Sequence, residues 1–139
     1  MATMIPELSE AQLAELPSQA EAKVYRAFRD GLPADFVVFF QVGWILRREE
    51  EQAKDGETDF LVCHPDLGYL CVEVKGGGVG FDSHSGDWFS VDRHQQKHPI
   101  NNPINQALKA KYSIRSKLNE HQRWKDLALH NVLRGHAVF

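Results

Sequence analysis

Two short apolar runs in the middle of the chain constrain its fold most. They cover residues 60–63 and 70–74, and the segment between them, residues 64–68, contains Pro, Asp and Gly. Strand-forming residues on either side of a Pro/Asp/Gly cluster are typical of two antiparallel strands joined by a loop. The sequence therefore predicts a β-hairpin at this place.

The spacing within this hairpin predicts which side chains share a face, because alternate residues of a strand point to the same side. If Cys63 stands opposite Tyr69, the register places Asp59 opposite Glu73. Two carboxylates in such a pair have Cβ atoms roughly 4.5–5.5 Å apart and repel each other. A divalent cation between them removes this repulsion, since Mg²⁺ is commonly held by one or two carboxylates, waters and phosphate oxygens. Lys75 lies on the same face, so the spacing predicts a phosphodiesterase site.

A solvated hairpin edge is the alternative interpretation, because Glu-x-Lys alone is a weak pattern. The combination favours a site. An acid, Asp59, stands at the start of the first strand, Glu73 and Lys75 stand at the end of the second, and glycines follow at residues 76–78 and at Gly80.

The same residues resemble a known family. Gly-Glu-x-Asp at residues 56–59 and Glu-Val-Lys-Gly-Gly at residues 73–77 resemble the central motif of the PD-(D/E)xK nuclease superfamily. Within it, residues 18–106 most resemble the nuclease-related domain called NERD. The resemblance implies an α/β fold with a PD-(D/E)xK-like core. That core has an N-terminal helix, a mixed central sheet with a catalytic β-hairpin, and a following helix packed on the sheet.

The resemblance also implies roles for the hairpin residues. Asp59, Glu73 and the carbonyl of Val74 would bind Mg²⁺ or Mn²⁺, and Lys75 would position the attacking water or stabilise the transition state. Glu57 lies on the face of Asp59 and is a reserve acid. The implied activity is metal-dependent hydrolysis of DNA, with RNA as a second substrate, in DNA processing or repair alongside an attached helicase-like domain. A catalytically inactive module that binds nucleic acid or protein is the alternative function.

Glu21 has two interpretations. Residues 18–21 have the S-x-x-E form of a capping box and predict a helix that continues to about Asp30. In a capping box the Glu21 side chain satisfies backbone N–H groups. The resemblance implies a second role, because many members of the superfamily bring a glutamate from the first helix to the metal. We therefore include Glu21 among the expected catalytic and metal-binding residues.

A second helix is predicted from Asn102 and Pro103 to about Leu118, because Asn is a good N-cap and Pro suits the first helical position. The resemblance suggests that Gln106 orients a phosphate or the attacking water; an exposed polar helix residue is the alternative. We expect Gln106, Lys109 and Arg93 to contact nucleic acid. Some relatives carry Gln-x-x-x-Tyr here, and this chain has Ala110 at the tyrosine position.

The charge is distributed unevenly along the chain. Residues 93–125 contain eight Lys and Arg against Glu120 alone, a net charge of +7, so the remainder carries −10 of the total of −3. A basic segment beside an acidic metal site would attract a phosphate-containing substrate. A solvated basic helix face is the alternative interpretation.

The whole chain sets the remaining limits. Its 139 residues, 42% apolar and 25% charged, fit one globular domain over 1–139 and exclude disordered and fibrous classes. The strand-like start at residues 136–139 leads us to expect a longer parent protein, of which this is the N-terminal part. No secretory signal is recognised, and Cys63 and Cys71 are expected to be thiols, which suits the cytoplasm. Residues 35–42 predict a fully buried strand, and residues 47–55 a flexible connection.

Overall fold

The computed structural model describes residues 1–48, 51–127 and 132–139. The strands are β1 (Thr3–Ile5), β2 (Val37–Arg48), β3 (Glu51–His64), β4 (Gly68–Glu73), β5 (Gly78–Asp82), β6 (Asp87–Val91), β7 (Lys97–Ile100) and β8 (Arg134–Val138). The helices are α1 (Glu10–Ala14), α2 (Gln19–Gly31), α3 (Pro103–Glu120) and α4 (Gln122–Asp126). None of the helices in these ranges is both long and apolar enough to cross a membrane.

The strands form two sheets. The larger sheet has the order β1-β2-β3-β4-β8, in which β1/β2 and β4/β8 are parallel and β2/β3 and β3/β4 antiparallel. The smaller sheet, β5-β6-β7, is antiparallel and is inserted between β4 and α3. The prediction of an α/β domain with a mixed central sheet is confirmed.

The predicted central hairpin is present as β3 and β4, with the predicted register. Cys63 pairs with Tyr69 and Leu61 with Cys71, and the ladder ends at Phe60 and Val72. Asp59 and Glu73 therefore lie one step beyond the last backbone pair, at the end of the hairpin away from its turn. We call this place the open end of the hairpin.

Each face of the sheet is covered by one of the two long helices. On one face, Ala22 and Tyr25 of α2 belong to a core with Val38, Phe60 and Val72. Burying each large side chain of this core contributes about 1.5–3 kcal/mol. On the other face, a smaller set of α3 and hairpin residues packs together: Tyr69, Cys71, Ala110 and Ile114. Cys63 and Cys71 are free thiols on this second face, as predicted.

Local signals determine where both helices begin. Ser18 caps α2 by accepting a hydrogen bond from the backbone N–H of Glu21 at 3.3 Å. Asn102 caps α3 by accepting from the N–H groups of Ile104 and Asn105 at 3.0 and 3.1 Å. These caps satisfy donors that have no partner inside the helix, so both predicted starts are confirmed.

Two predictions on β2 and the segment after it were wrong. Residues 47–55 were expected to form a connection, but β2 continues to Arg48 and β3 begins at Glu51, while residues 49–50 lie outside the described range. Backbone pairing between the two strands does not depend on apolar side chains, so a charged segment can still extend a hairpin. Nor is β2 fully buried. Val38 and Phe40 are buried while Val37 and Phe39 are half-buried, as in a strand whose two faces are unequally covered.

Candidate active site

At the open end of the hairpin, the Asp59 side chain takes the place of a backbone partner. Its Oδ2 accepts a hydrogen bond from the N–H of Val74 at 2.6 Å. The other edge of β4 is bonded to the end of the chain, because Phe139 donates to the carbonyl of Glu73 at 2.9 Å and accepts from the N–H of Lys75 at 2.8 Å. Residues 73–75 are thus fixed from both sides.

Glu73 and Lys75 form an ion pair in this place. Lys75 Nζ donates to Glu73 Oε1 at 2.6 Å. The Glu73 side chain is buried, with 8% of its surface exposed, and that of Lys75 is 25% exposed. A buried carboxylate of this kind requires a cation or several hydrogen bonds nearby, and Lys75 supplies the cation.

Asp59 lies in a setting that disfavours its charge. Burial raises the pKa of Asp59 to about 6, and the negative charges of Glu73 and Glu21 raise it as well. The N–H of Val74 and the ammonium of Lys75 act in the opposite direction and lower this pKa. The charges of Glu21, Glu73 and Lys75 all act on Asp59, so the structure brings the four predicted catalytic side chains together.

Glu21 forms one of the two hydrogen bonds of a capping box. Its N–H donates to Ser18, but its carboxylate Oε2 accepts from the side-chain amide of Gln41, with 3.1 Å between Gln41 Nε2 and that oxygen. The first turn of α2 also lies beside the glycines that follow Lys75, because a Cβ built on Gly76 would lie 3.4 Å from the Cβ of Ala20. The carboxylate of Glu21 is therefore directed at the sheet.

An open cleft of about 420 Å³ adjoins this cluster. It is lined by Lys75, Pro99, Ile100, Asn101 and Gln106. The Oε1 atom of Gln106 is buried and has no hydrogen-bond partner among the described residues. Gln106 and Lys75 thus both line the cleft, and the amide oxygen of Gln106 is buried behind its surface.

The other predicted residues lie outside this cleft. Arg93 is exposed between β6 and β7, and its Nε donates to Nε2 of His94 at 3.2 Å. Lys109 is exposed on α3 and Glu57 on β3. Their roles in binding nucleic acid, or as a reserve acid, stay predictions.

Sequence reasoning missed several residues of this site. Asn101 and Ile100 line the cleft but carry no motif, since they lie where β7 passes into α3. Gln41 also was not predicted as a site residue. The one signal in the sequence was a polar residue interrupting an apolar run, Phe-Val-Val-Phe-Phe-Gln-Val at residues 36–42.

The donor atoms in this cluster suit a hard cation. In the part of the chain that the structure describes, no three His, Cys, Asp or Glu side chains are arranged to hold a metal ion. Mg²⁺ needs fewer protein ligands than that, because it keeps several waters and is often bound by only one or two carboxylates. Burial is the main cause of the raised pKa of Asp59, and the negative charges of Glu73 and Glu21 add to it. A divalent cation would balance these charges.

A comparison with protein families found one match. The family model described as NERD, nuclease-related domain, matches residues 16–134, which include every residue of the cluster. The comparisons with curated proteins and with solved structures found no match.

Proposed function

The chain belongs to the nuclease-related domain family, and on that premise we propose that it hydrolyses phosphodiester bonds in DNA with Mg²⁺ or Mn²⁺. The observation that carries the proposal is the gathering of Asp59, Glu73, Glu21 and Lys75 at the open end of the hairpin, beside a cleft. A group of carboxylates can bind a cation, and an ammonium group that lines the adjoining cleft can bind a phosphate beside it.

Each side chain has a distinct part in this proposal. Asp59, Glu73 and the carbonyl of Val74 would hold the ion. Glu21 would complete the coordination shell or balance the charge of the ion from nearby. When bound, such an ion lowers the pKa of a coordinated water and stabilises charge on the phosphoryl group. Lys75 lines the cleft, where its ammonium would stabilise the negative charge that develops on the substrate.

Gln106 would orient the water or the phosphate. Gln106 lines the cleft together with Lys75, and a side-chain amide can both donate and accept hydrogen bonds. Arg93 and Lys109 would contact the nucleic acid outside the cleft, through the phosphate backbone. In the same proposal the domain acts in DNA processing, attached to or alongside a helicase-like domain.

The test is cleavage of supercoiled plasmid and of labelled single-stranded and double-stranded DNA, with Mg²⁺ or Mn²⁺ and with EDTA. We expect metal-dependent cleavage, and at least about 100-fold slower cleavage by Asp59→Ala and Lys75→Ala, as for loss of a group that stabilises the transition state. Asp35→Ala is the matched control, since Asp35 is bonded to His64 at the opposite end of the hairpin. This control should cut at the parental rate.

The outcomes separate nuclease activity from the alternative function. Cleavage by both site variants at the parental rate contradicts the proposal. If nothing is cut but DNA binds and is released by salt, the domain is a nucleic-acid-binding module. If DNA does not bind at all, a module for protein contacts is favoured.

A further inference from the structure

Gln41 has a backbone conformation that is unusual for its place in the fold. It lies within β2 and has φ of 53°, in the left-handed region. In the described part of the chain, the one other non-glycine residue with positive φ is Gln95, in the turn between β6 and β7. Strain of this kind persists only where the surroundings maintain it, and it is concentrated at functional sites.

The position of Gln41 in the sheet relates this strain to the acid cluster. Phe40 pairs with Phe60 and Val42 with Thr58, so Gln41 stands across from Asp59 at a step where no pair forms. A left-handed residue cannot continue an extended ladder, which explains the interruption. At this same step the Asp59 carboxylate accepts a hydrogen bond from the N–H of Val74. The side-chain amide of Gln41 donates to the carboxylate of Glu21, with 3.1 Å between Nε2 and Oε2.

The residue type indicates that its side chain matters. Gly or Asn would adopt a left-handed conformation more easily than Gln. Gly has no side chain to donate a hydrogen bond, and Asn is shorter by one methylene. Gln therefore keeps the reach to Glu21 at the expense of backbone strain. Its amide is neutral, so it fixes the carboxylate without balancing the charge that a cation would balance.

We propose that Gln41 is a positioning residue, which holds the Glu21 carboxylate beside Asp59 so that both acids act on one divalent cation. This inference rests on the proposed function, because it assumes that the acid cluster binds a metal. The competing explanation is that the hydrogen bond merely attaches α2 to the sheet. The two explanations differ in what they predict for metal affinity at unchanged stability.

The experiment measures Mn²⁺ binding to the whole chain by electron paramagnetic resonance, alongside urea unfolding and DNA cleavage. Gln41→Gly and Gln41→Asn relieve the strain and should unfold at the parental urea concentration or above it. We expect both to bind Mn²⁺ about 5- to 20-fold more weakly. Gln95→Gly is the matched control, since it relieves the same strain in a turn, and it should leave Mn²⁺ affinity unchanged.

A double-mutant cycle then assigns the effect to Glu21. Glu21→Gln should weaken Mn²⁺ binding at least as much as Gln41→Gly, and adding Gln41→Gly to it should weaken binding no further. Parental affinity in Gln41→Gly overturns the positioning role, as does lower affinity with a matching loss of stability. If the parent chain binds no Mn²⁺, the proposed function fails, and this inference fails with it.

Discussion

Two aspartates near opposite ends of the β3–β4 hairpin have opposite electrostatic settings. Near the turn, Asp35 Oδ2 lies 2.9 Å from Nε2 of His64, and this hydrogen bond holds the pKa of Asp35 below its usual value. At the open end, burial and the charges of Glu73 and Glu21 raise the pKa of Asp59 to about 6. The same residue type is stabilised as an anion at one end and destabilised at the other.

The difference shows which end of the hairpin serves the stability of the fold. At the turn, polar groups have partners, and His64 also packs on Phe36 with 4.6 Å between ring centroids. At the open end, like charges are held close and a backbone residue is strained. Natural proteins retain such unfavourable features where binding or catalysis needs them. The following predictions test this contrast, in order of decreasing effect.

The largest effect is expected at the turn, from Gly68→Ala. Gly68 has φ of 85°, and a Cβ there would overlap the backbone carbonyl oxygen of Leu133, which accepts the N–H of Tyr69 at 3.0 Å. Left-handed strain and backbone overlap add, so we expect a loss of more than about 3 kcal/mol in the free energy of unfolding. Urea denaturation measures it.

Gly86→Ala is the control for backbone strain alone. Gly86 has φ of 78°, and a Cβ there would meet no atom within 4 Å among the described residues. Its loss should stay near about 1 kcal/mol. Equal losses in the two variants would show that the overlap of the new Cβ with Leu133 adds no cost to the backbone strain.

A smaller effect is expected at the open end from Lys75→Met, which leaves the buried Glu73 without its cation. Breaking a buried pair is costly, but Lys75 is partly exposed, so we expect a loss of about 2 kcal/mol. Glu73→Gln added to Lys75→Met should recover most of it, because the unpaired charge is then removed. Lys117→Met, which breaks an exposed pair with Glu120, is the control and should lose under about 0.5 kcal/mol. A Lys75→Met variant as stable as this control would contradict the importance of the buried pair.

The features that could be predicted from the sequence, the hairpin register and the two helix starts, depend on local signals. The period of two and the loop length gave the hairpin register, and with it the shared face of Asp59, Glu73 and Lys75. The helix starts followed from Ser18 and Asn102, because capping needs only a few neighbouring residues.

The features that could not be predicted, such as the conformation of Gln41 and the cleft, involve residues that are distant in the sequence. The left-handed conformation of Gln41 has no local signal, since Gly and Asn are the usual residues there. The hydrogen-bond partner of its side chain, Glu21, lies 20 residues away in the sequence. The cleft likewise joins the end of β4 to the start of α3, across the whole smaller sheet. The extension of β2 over residues 47–48 and of β3 over residues 51–55 was missed because charged composition was taken to indicate a connection.

The smallest predicted change in the free energy of unfolding is that of Asp59→Asn at pH 7. We expect it to be opposite in sign to the change caused by Asp35→Asn. With EDTA present, the folded-state pKa of Asp59 is about 6, above its ordinary value of 3.8. Protonation of Asp59 therefore favours the folded state, and this stability is fully present below about pH 4 and lost as pH rises through 6. The neutral Asn keeps an oxygen for the N–H of Val74. We expect Asp59→Asn to be more stable than the parent at pH 7 by about 1 kcal/mol, after discounting for partial exposure.

Asp35→Asn should behave in the opposite way. The folded-state pKa of Asp35 is lowered, first by the hydrogen bond with His64, so its contribution is present above its ordinary pKa and lost as pH falls through the folded value. The Asn variant should thus be less stable than the parent at pH 7 and approach it in acid. Unfolding by urea at pH 4, 5, 6 and 7 measures both variants. If Asp59→Asn also destabilises the chain at pH 7, the carboxylate of Asp59 stabilises the fold. The two ends of the hairpin would then not differ in how they affect the charge of an aspartate.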